Sequence, residues 1–119
     1  MSAQLVCLTL IAARSLRQEL FDYLSERSDL TSGFTASDIA GHGPGVRLHT
    51  PSEQVKGHAD ELMIRIILQV QDAGQLLERL KTAFAGSKIV YWIMPVSEFG
   101  VIDSLADGPE AIVAEKDKL

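Results

Sequence analysis

The stretch GHGPGVRLHTPSEQVKGH, residues 41–58, lies between two segments that alternate in the manner of β-strands. Its four glycines and two prolines are expected to interrupt any helix or strand ladder there. A hairpin between neighbouring strands needs only about two to five residues, so a connection of roughly 15 residues is much longer than a turn requires. Loops of this length in compact domains are usually either binding elements or disordered, and we predict that loop 41–57 is a binding element.

The chain before this loop contains two strand patterns with a helix between them. Residues 5–11, LVCLTLI, are apolar on both alternating faces, as in a buried strand. The next segment repeats leucine at helical spacing, and Ser15 with Gln18 is expected to cap its start. Residues 33–40, GFTASDIA, alternate but are polar enough for the edge of a sheet.

After the loop the pattern repeats. Residues 61–70 alternate cleanly, with aliphatic side chains at every second position. Asp72 is expected to cap a second amphipathic helix, which Gly86 ends. Residues 88–94, KIVYWIM, predict a last strand that is apolar on both faces and is ended by Pro95.

This element order predicts an α+β domain with the ferredoxin-like βαββαβ fold. Two interleaved βαβ units give a four-stranded antiparallel sheet with two helices on one face and a long loop between strands 2 and 3. We expect the domain to span residues 1–105. The acidic segment 106–119 is predicted to be a mobile tail.

Two helices cover only one side of such a sheet, yet the first and last strands are apolar on both sides. Tyr91 and Trp92, for example, fall on opposite faces of the last strand. The second apolar face has to be covered, and another copy of the chain is the available cover. The sequence therefore predicts an oligomer.

Composition argues against several functional classes. The net charge of -5 and the aromatic content of 6% oppose nucleic-acid binding, which uses basic surfaces and stacking aromatic side chains. No apolar run approaches the ~20 residues needed to cross a bilayer, so direct membrane insertion is not expected. The single cysteine fits a reducing compartment, and we expect a cytoplasmic protein.

Three segments resemble the PII signal-transduction family and its wider PII-like superfamily. Residues 33–43, GFTASDIAGHG, look like the second PII strand and the base of its long T-loop. Residues 54–57, QVKG, look like the return of that loop, and residues 93–98, IMPVSE, are similar to the last strand and its turn. The resemblance implies a homotrimer that binds small effectors between subunits and docks through the loop on a transporter, a channel or an enzyme.

Other positions depart from the PII pattern. Residues 85–88 contain one glycine where a glycine-rich phosphate-binding turn is expected, and residues 58–61, HADE, carry two acids where a lysine is expected. Residues 99–104 lack the arginine of the family, and the loop has no tyrosine. These differences argue against ATP and 2-oxoglutarate sensing. The closer resemblance is to a divergent PII-like branch of unassigned function, associated with heavy-metal efflux pumps of the RND type.

All three histidines of the chain, His42, His49 and His58, belong to the quoted stretch. Imidazole is a common ligand of Zn, Ni, Cu and Co, so a divalent transition metal is one candidate effector. Their spacing matches no standard zinc motif, but His42 and His58 flank the loop base and can meet if the loop closes, with Asp60 or Glu61 as a further ligand. The alternative is that all three are solvated loop residues.

A second set of residues can bind an effector through exposed backbone amides or through basic side chains that meet a phosphate or carboxylate. This set consists of Gly41, Gly43, Gly45, Arg47, Lys56, Gly57 and Lys88. The alternative is that the glycines serve only chain reversal and the basic residues face solvent. Cys7 is expected to pack as a small hydrophobe. No nucleophile elbow or metallohydrolase motif frames a reaction, so a non-enzyme is predicted.

The leading interpretation is a PII-like regulator that binds a transition metal or a nucleotide. It would dock through loop 41–57 on a partner such as a membrane transporter or an efflux-pump component. A CutA-like divalent-metal-binding protein without a signalling role is the alternative. A ferredoxin-like enzyme or small-molecule binder, such as an ACT-type domain, also stays open because fold does not fix function.

Overall fold

The computed structural model describes residues 4–103 of the 119-residue chain. Its strands are β1 (Leu5–Ala13), β2 (Thr35–Gly41), β3 (Ala59–Gln69) and β4 (Val90–Pro95). Its helices are α1 (Arg17–Ser25), α2 (Pro51–Lys56) and α3 (Val70–Ala83), and one turn of 3₁₀ helix (Arg14–Leu16) precedes α1. The predicted tail, residues 106–119, lies outside the described residues.

The four strands form one sheet in the order β2-β3-β1-β4, and every neighbouring pair is antiparallel. This confirms the predicted α+β fold with its four-stranded antiparallel sheet. The polar strand β2 lies at one edge, where its composition had placed it, and the apolar strand β4 forms the other edge.

The hydrophobic core fills the space between one face of this sheet and helices α1 and α3. Alternate residues of β1 and β3 point into it, and the register pairs Leu10 with Ile64 and Leu8 with Ile66. The largest fully buried side chains are Leu8, Leu10, Leu20, Leu24, Leu62, Ile64, Ile66, Leu68 and Leu76. Each of them stabilises the fold by about 1.5–3 kcal/mol through removal of apolar surface from water.

The opposite face of the sheet, called the open face below, carries a second apolar surface. It comprises Cys7, Thr9 and Ile11 of β1, Met63, Arg65 and Ile67 of β3, and Val90, Trp92 and Met94 of β4. The three side chains of β4 are 53%, 40% and 57% exposed. The apolar second face expected from the sequence is therefore present in the folded chain.

The predicted cap of α1 is wrong. This helix begins at Arg17 without a side-chain cap, and Gln18 donates a hydrogen bond to Asp22 one turn along instead of pairing with Ser15. Arg14 accounts for the difference, because its guanidinium donates to carbonyl oxygens of β2 and β3. These bonds hold the 3₁₀ turn against the sheet and delay the start of the α-helix.

Helix α3 also begins earlier than predicted, at Val70, directly after β3. The Val70 amide donates to the carbonyl of Gln4 at 3.0 Å. The first residue of the helix is therefore still hydrogen-bonded to the residue that precedes β1. Asp72 therefore lies in the first turn, where its charge favours the helix dipole, and is not the cap. Between residues 4 and 103, no helix has the length and apolar character needed to span a bilayer.

The expectation that the glycines and prolines of loop 41–57 exclude a helix is wrong, because α2 forms there. Pro51 occupies its first turn, where a backbone donor is not needed. Thr50 and Glu53 form a capping box, and Gly57 ends the helix with a φ of 80°. Two of the residues expected to break a helix, Pro51 and Gly57, instead mark its two ends.

Candidate functional site

Glu53 fastens α2 to the start of β3. Its side chain is only 3% exposed. One carboxylate oxygen accepts hydrogen bonds from the amides of His49 at 2.7 Å and Thr50 at 3.0 Å, and the other accepts one from the amide of Asp60. These donors, the Asp60 amide first among them, lower the pKa of Glu53 from 4.5 to about 2. The carboxylate therefore holds the loop against the sheet in its ionised form.

Replacing Glu53 with glutamine is expected to loosen the loop and to flatten the acid dependence of stability. The amide keeps the size of the carboxylate but turns an NH₂ group toward a backbone donor. Because the folded-state pKa lies below the ordinary value, the carboxylate stabilises the fold above pH 4.5 and loses this contribution as the pH falls toward 2. Urea denaturation between about pH 7 and pH 2.5 measures the difference, with exposed Glu78→Gln as control. Equal pH slopes for Glu53→Gln and the wild type would contradict this role.

A cleft of about 450 Å³ lies beside the contact between Glu53 and the start of β3. It is lined by the loop, by the turn before β4 and by the adjoining ends of β1, β3 and β4. The loop and the turn contribute Gly45, Val46, Arg47, His49, Gly86, Ser87 and Lys88. Sites of ~300–1,000 Å³ hold small-molecule ligands, so this cleft has the size of an effector site.

Two basic side chains of the cleft come from distant parts of the sequence. Arg47 belongs to the loop and Lys88 to the turn, and within residues 4–103 neither has a carboxylate oxygen within 4.0 Å. Three acids line the cleft: Glu53 accepts three backbone hydrogen bonds, Asp60 is paired with Lys56 at 3.0 Å, and Glu61 forms no ion pair with either cation among the described residues. The two cations are therefore available to an anionic ligand.

Lys88 has a left-handed backbone conformation, with φ 63°, and no other non-glycine residue of the described chain has a positive φ. This conformation costs a side-chain-bearing residue roughly 1–2 kcal/mol. The neighbouring Gly86 has φ 83°, and the Ser87 amide donates to the carbonyl of Phe84 at 3.1 Å, which fixes the turn. Backbone strain of this kind is concentrated at ligand-binding sites, and here it occurs beside the cleft.

His42 and His58 meet at the base of the loop, with their ring centroids 5.3 Å apart. The antiparallel register sets this meeting, because it pairs Gly41 with Ala59 as the last partners of β2 and β3. His42, which follows Gly41, and His58, which precedes Ala59, are then opposite each other. The loop base thus presents two imidazoles side by side.

One chain offers an incomplete set of metal ligands at this place. Asp60 lies 3.8 Å from Nε2 of His58, but its carboxylate is also held by Lys56. His49 lines the cleft and does not join the pair. In the part of the chain that the structure describes, no group of three or more His, Cys, Asp or Glu side chains is arranged to hold a metal ion. The predicted metal site stays a prediction, with His42 and His58 as its nucleus.

Comparison with known proteins assigns the family. Residues 2–103 match the family described as a protein of unknown function, DUF3240. The chain belongs to the DUF3240 family. A solved DUF3240 family protein from Shewanella baltica OS155 is 24% identical to it, with a TM-score of 0.67 over 87% of this chain and 100% of that chain. No curated protein matches the DUF3240 chain in sequence.

Two other solved structures share the fold of the DUF3240 chain at lower identity. CPII, a nitrogen regulatory PII-like protein from Thiomonas intermedia K12 bound to ADP, AMP and bicarbonate, is 19% identical, with a TM-score of 0.59 over 78% of this chain and 90% of that chain. CutA from Synechococcus elongatus PCC7942, complexed with Bis-Tris, is 9% identical, with a TM-score of 0.60 over 80% of this chain and 82% of that chain. At these identities the likeness concerns the fold, and it confirms the PII-like architecture implied by the sequence.

The remaining predicted site residues of this DUF3240 chain shape the loop. Gly43 and Gly57 have φ values of 114° and 80°, a region that glycine adopts without steric cost. A Cβ atom on Gly41 would overlap the carboxylate of Glu61. Lys56 is paired with an acid and does not line the cleft.

Two residues that organise the site of the DUF3240 chain were missed by sequence reasoning. Glu53 had a detectable signal, because residues 50–53, TPSE, have the T-x-x-E pattern of a capping box. Arg14 had none. It donates to the carbonyl oxygens of Ile39 and Glu61, which come together only after β2 and β3 have paired.

Proposed function

We propose that this DUF3240 chain is a PII-like regulatory protein that binds a small anionic effector in the cleft between loop 41–57 and the turn before β4. The observation that carries the proposal is the presence of both Arg47 and Lys88 in the lining of that cleft, each without a carboxylate partner among the described residues. Cationic side chains and the amides of a tight turn are the groups that bind phosphates. We propose that the effector is bound and not transformed, so that the protein is not an enzyme.

An adenine nucleotide with one or two phosphates fits this cleft best. The solved CPII protein is bound to ADP and AMP, which supports the choice of this class for a chain with the same fold. Two cations match one or two phosphates better than the three phosphates of ATP. The volume of about 450 Å³ also lies within the range of small-molecule sites.

We further propose that three copies assemble through their open faces and that the loop docks on a partner. Docking is supported by α2, which Glu53 holds in place while it presents Val55 with 89% of its surface exposed. The sequence resemblance supports a cytoplasmic regulator whose partner is a membrane transporter, such as a heavy-metal efflux pump of the RND type. The helices and the loop would then face outward from the assembly.

Deletion of residues 44–55 is expected to abolish docking and to leave the assembly intact. The core between the sheet and the helices contains no residue of this segment, so the deletion is expected to lower stability through loss of the Glu53 contacts but to leave the domain folded. Pull-down of the efflux-pump components with wild-type and deleted chains measures docking, and circular dichroism with light scattering verifies the fold and the assembly. Retention of the partner by a folded, deleted chain would refute a docking role for the loop.

The pair His42 and His58 favours a second candidate function, the binding of a divalent transition metal without a signalling role, as in the CutA-like alternative. Two imidazoles with centroids 5.3 Å apart can share one metal ion after small side-chain rotations. A further ligand would come from Asp60 once it leaves Lys56, or from another copy. Zn, Ni, Cu and Co all accept imidazole ligands, so the residues alone do not select among them.

A thermal-shift panel tests both candidates on the full-length protein. Separate wells contain AMP, ADP, ATP, cyclic AMP, Zn²⁺, Ni²⁺, Cu²⁺ or Co²⁺. A ligand at 100 times its Kd adds about 2.7 kcal/mol to the free energy of unfolding, which raises the Tm by several degrees. The effector cleft is supported if AMP or ADP raises the Tm, if Arg47→Gln removes this shift, and if the double variant His42→Ala, His58→Ala retains it. The reverse pattern supports the metal site. No shift in any well would refute both.

A further inference from the structure

A smaller pocket of about 210 Å³ lies on the helix side of the sheet, between the end of α3 and β4. The large apolar side chains of its lining are Leu10, Leu77, Leu80, Phe84, Ile89 and Tyr91. It shares only residues 86–88 with the effector cleft, so this turn separates the two sites. The pocket is a distinct place in the molecule, and its interpretation does not rest on the proposed effector cleft.

The turn that forms one wall of this pocket is held open by its backbone. The amide of Phe84 donates to the carbonyl of Leu80 at 2.9 Å, and the amide of Ser87 donates to the carbonyl of Phe84 at 3.1 Å. The ring of Phe84 packs edge-on against Tyr23, with centroids 5.5 Å apart. These contacts fix the turn that forms this wall of the pocket.

The charged side chains that line the pocket are both lysines, Lys81 and Lys88. Lys81 lies in the last turn of α3, and its Nζ is 5.5 Å from the centroid of the Tyr91 ring. Within residues 4–103, neither lysine has a carboxylate oxygen within 4.0 Å. In a chain with a net charge of -5, an apolar pocket with cations and no acid in its lining is selective for an apolar anion.

We propose that this pocket binds a small aromatic carboxylate, with the ring against the leucines and Phe84 and the carboxylate against Nζ of Lys81. An apolar cavity of about 150 Å³ holds benzene. The larger volume of about 210 Å³ leaves room for one ring with a short acidic arm and excludes a nucleotide. Burial of the ring provides affinity, and the unpaired ammonium of Lys81 provides selectivity for the anion over a neutral molecule of the same shape.

The probes for this site are phenylacetate and phenylacetamide, which differ in charge and share their shape. Full-length ¹⁵N-labelled protein is titrated with each, and amide chemical shifts locate and quantify binding. We expect saturable shifts at Leu77, Phe84 and Ile89, with phenylacetate bound roughly tenfold more tightly than phenylacetamide. Lys81→Gln should remove most of this preference, while Arg79→Gln, which removes an exposed cation of the same helix, should leave it unchanged.

Four results would overturn the proposal. Equal affinities for the two probes would show that Lys81 does not select an anion, and a preference that survives Lys81→Gln would have the same meaning. Shifts centred on residues 45–49 would place phenylacetate in the effector cleft. Absence of saturable shifts at millimolar phenylacetate would show that the pocket is not a ligand site. Because Lys81 is exposed, its replacement is not expected to affect folding.

Discussion

Replacement of Ile67 by aspartate is expected to convert the proposed trimer into a folded monomer. Ile67 lies on the open face opposite Cys7 of β1 and outside the core between the sheet and the helices. The substitution therefore leaves the core unchanged and places one carboxylate in the interface of each copy. Removal of each added carboxylate from water costs several kcal/mol, and the lost contact of isoleucine adds about 1.5–3 kcal/mol. Because the cost recurs in every copy, it favours the separated chains over the assembly.

Light scattering after gel filtration at micromolar concentration measures this change directly. The wild type is expected at three times the chain mass, and Ile67→Asp at one. Gln75→Glu is the matched control, because it adds one negative charge at an exposed position of α3 and should stay trimeric. A trimeric Ile67→Asp would place the interface elsewhere, and a monomeric wild type would remove the trimer from the proposed function.

The fold was predictable because its main signal is periodic and local. The alternation of Leu62, Ile64, Ile66 and Leu68 identifies the buried face of β3, and the structure buries all four. The ends of the helices were less predictable because they depend on contacts with other elements. The Ser15 cap failed because Arg14 bonds to carbonyl groups of β2 and β3, which no local pattern describes.

Loop 41–57 shows how the same residues can be interpreted in two ways. Proline and glycine oppose the interior of a helix, but proline at the first turn and glycine just past the last turn are its ordinary boundaries. Pro51 and Gly57 are six positions apart, the spacing of a helix of about two turns. Thr50, which directly precedes Pro51, and Glu53 form a capping box, and this decides between the two interpretations.

Only one part of the candidate site was predictable, the pair His42 and His58, because these residues flank the two ends of the loop. His42 and His58 are equally distant from the last pair of β2 and β3, so any closed loop brings them together. Arg47 and Lys88 have no such relation. They line the same cleft only in the folded chain, where the contact between Glu53 and the start of β3 holds the loop beside the sheet.

Two replacements of Lys88 are expected to separate its ligand role from its backbone strain. Lys88→Gly removes both the ammonium and the left-handed strain of roughly 1–2 kcal/mol, although glycine adds about 0.5–1 kcal/mol of unfolded-state entropy. The net stability should rise by up to about 1 kcal/mol, a few degrees in Tm. Lys88→Ala removes the ammonium and keeps the strain, so its Tm should not rise.

Both Lys88 variants are expected to bind ADP about 10- to 100-fold more weakly, since a charged hydrogen bond contributes about 1.5–3 kcal/mol. Isothermal titration with ADP measures the affinity, and thermal unfolding without ligand measures the stability. Arg79→Gln is the control for loss of an exposed cation, because its ion pair with Asp29 at 3.5 Å lies outside the cleft. If Lys88→Gly is more stable than the wild type and binds ADP equally well, Lys88 does not contribute to ADP binding. A stability gain together with weaker binding would mean that the turn gives up folding free energy to place a cation in the effector cleft.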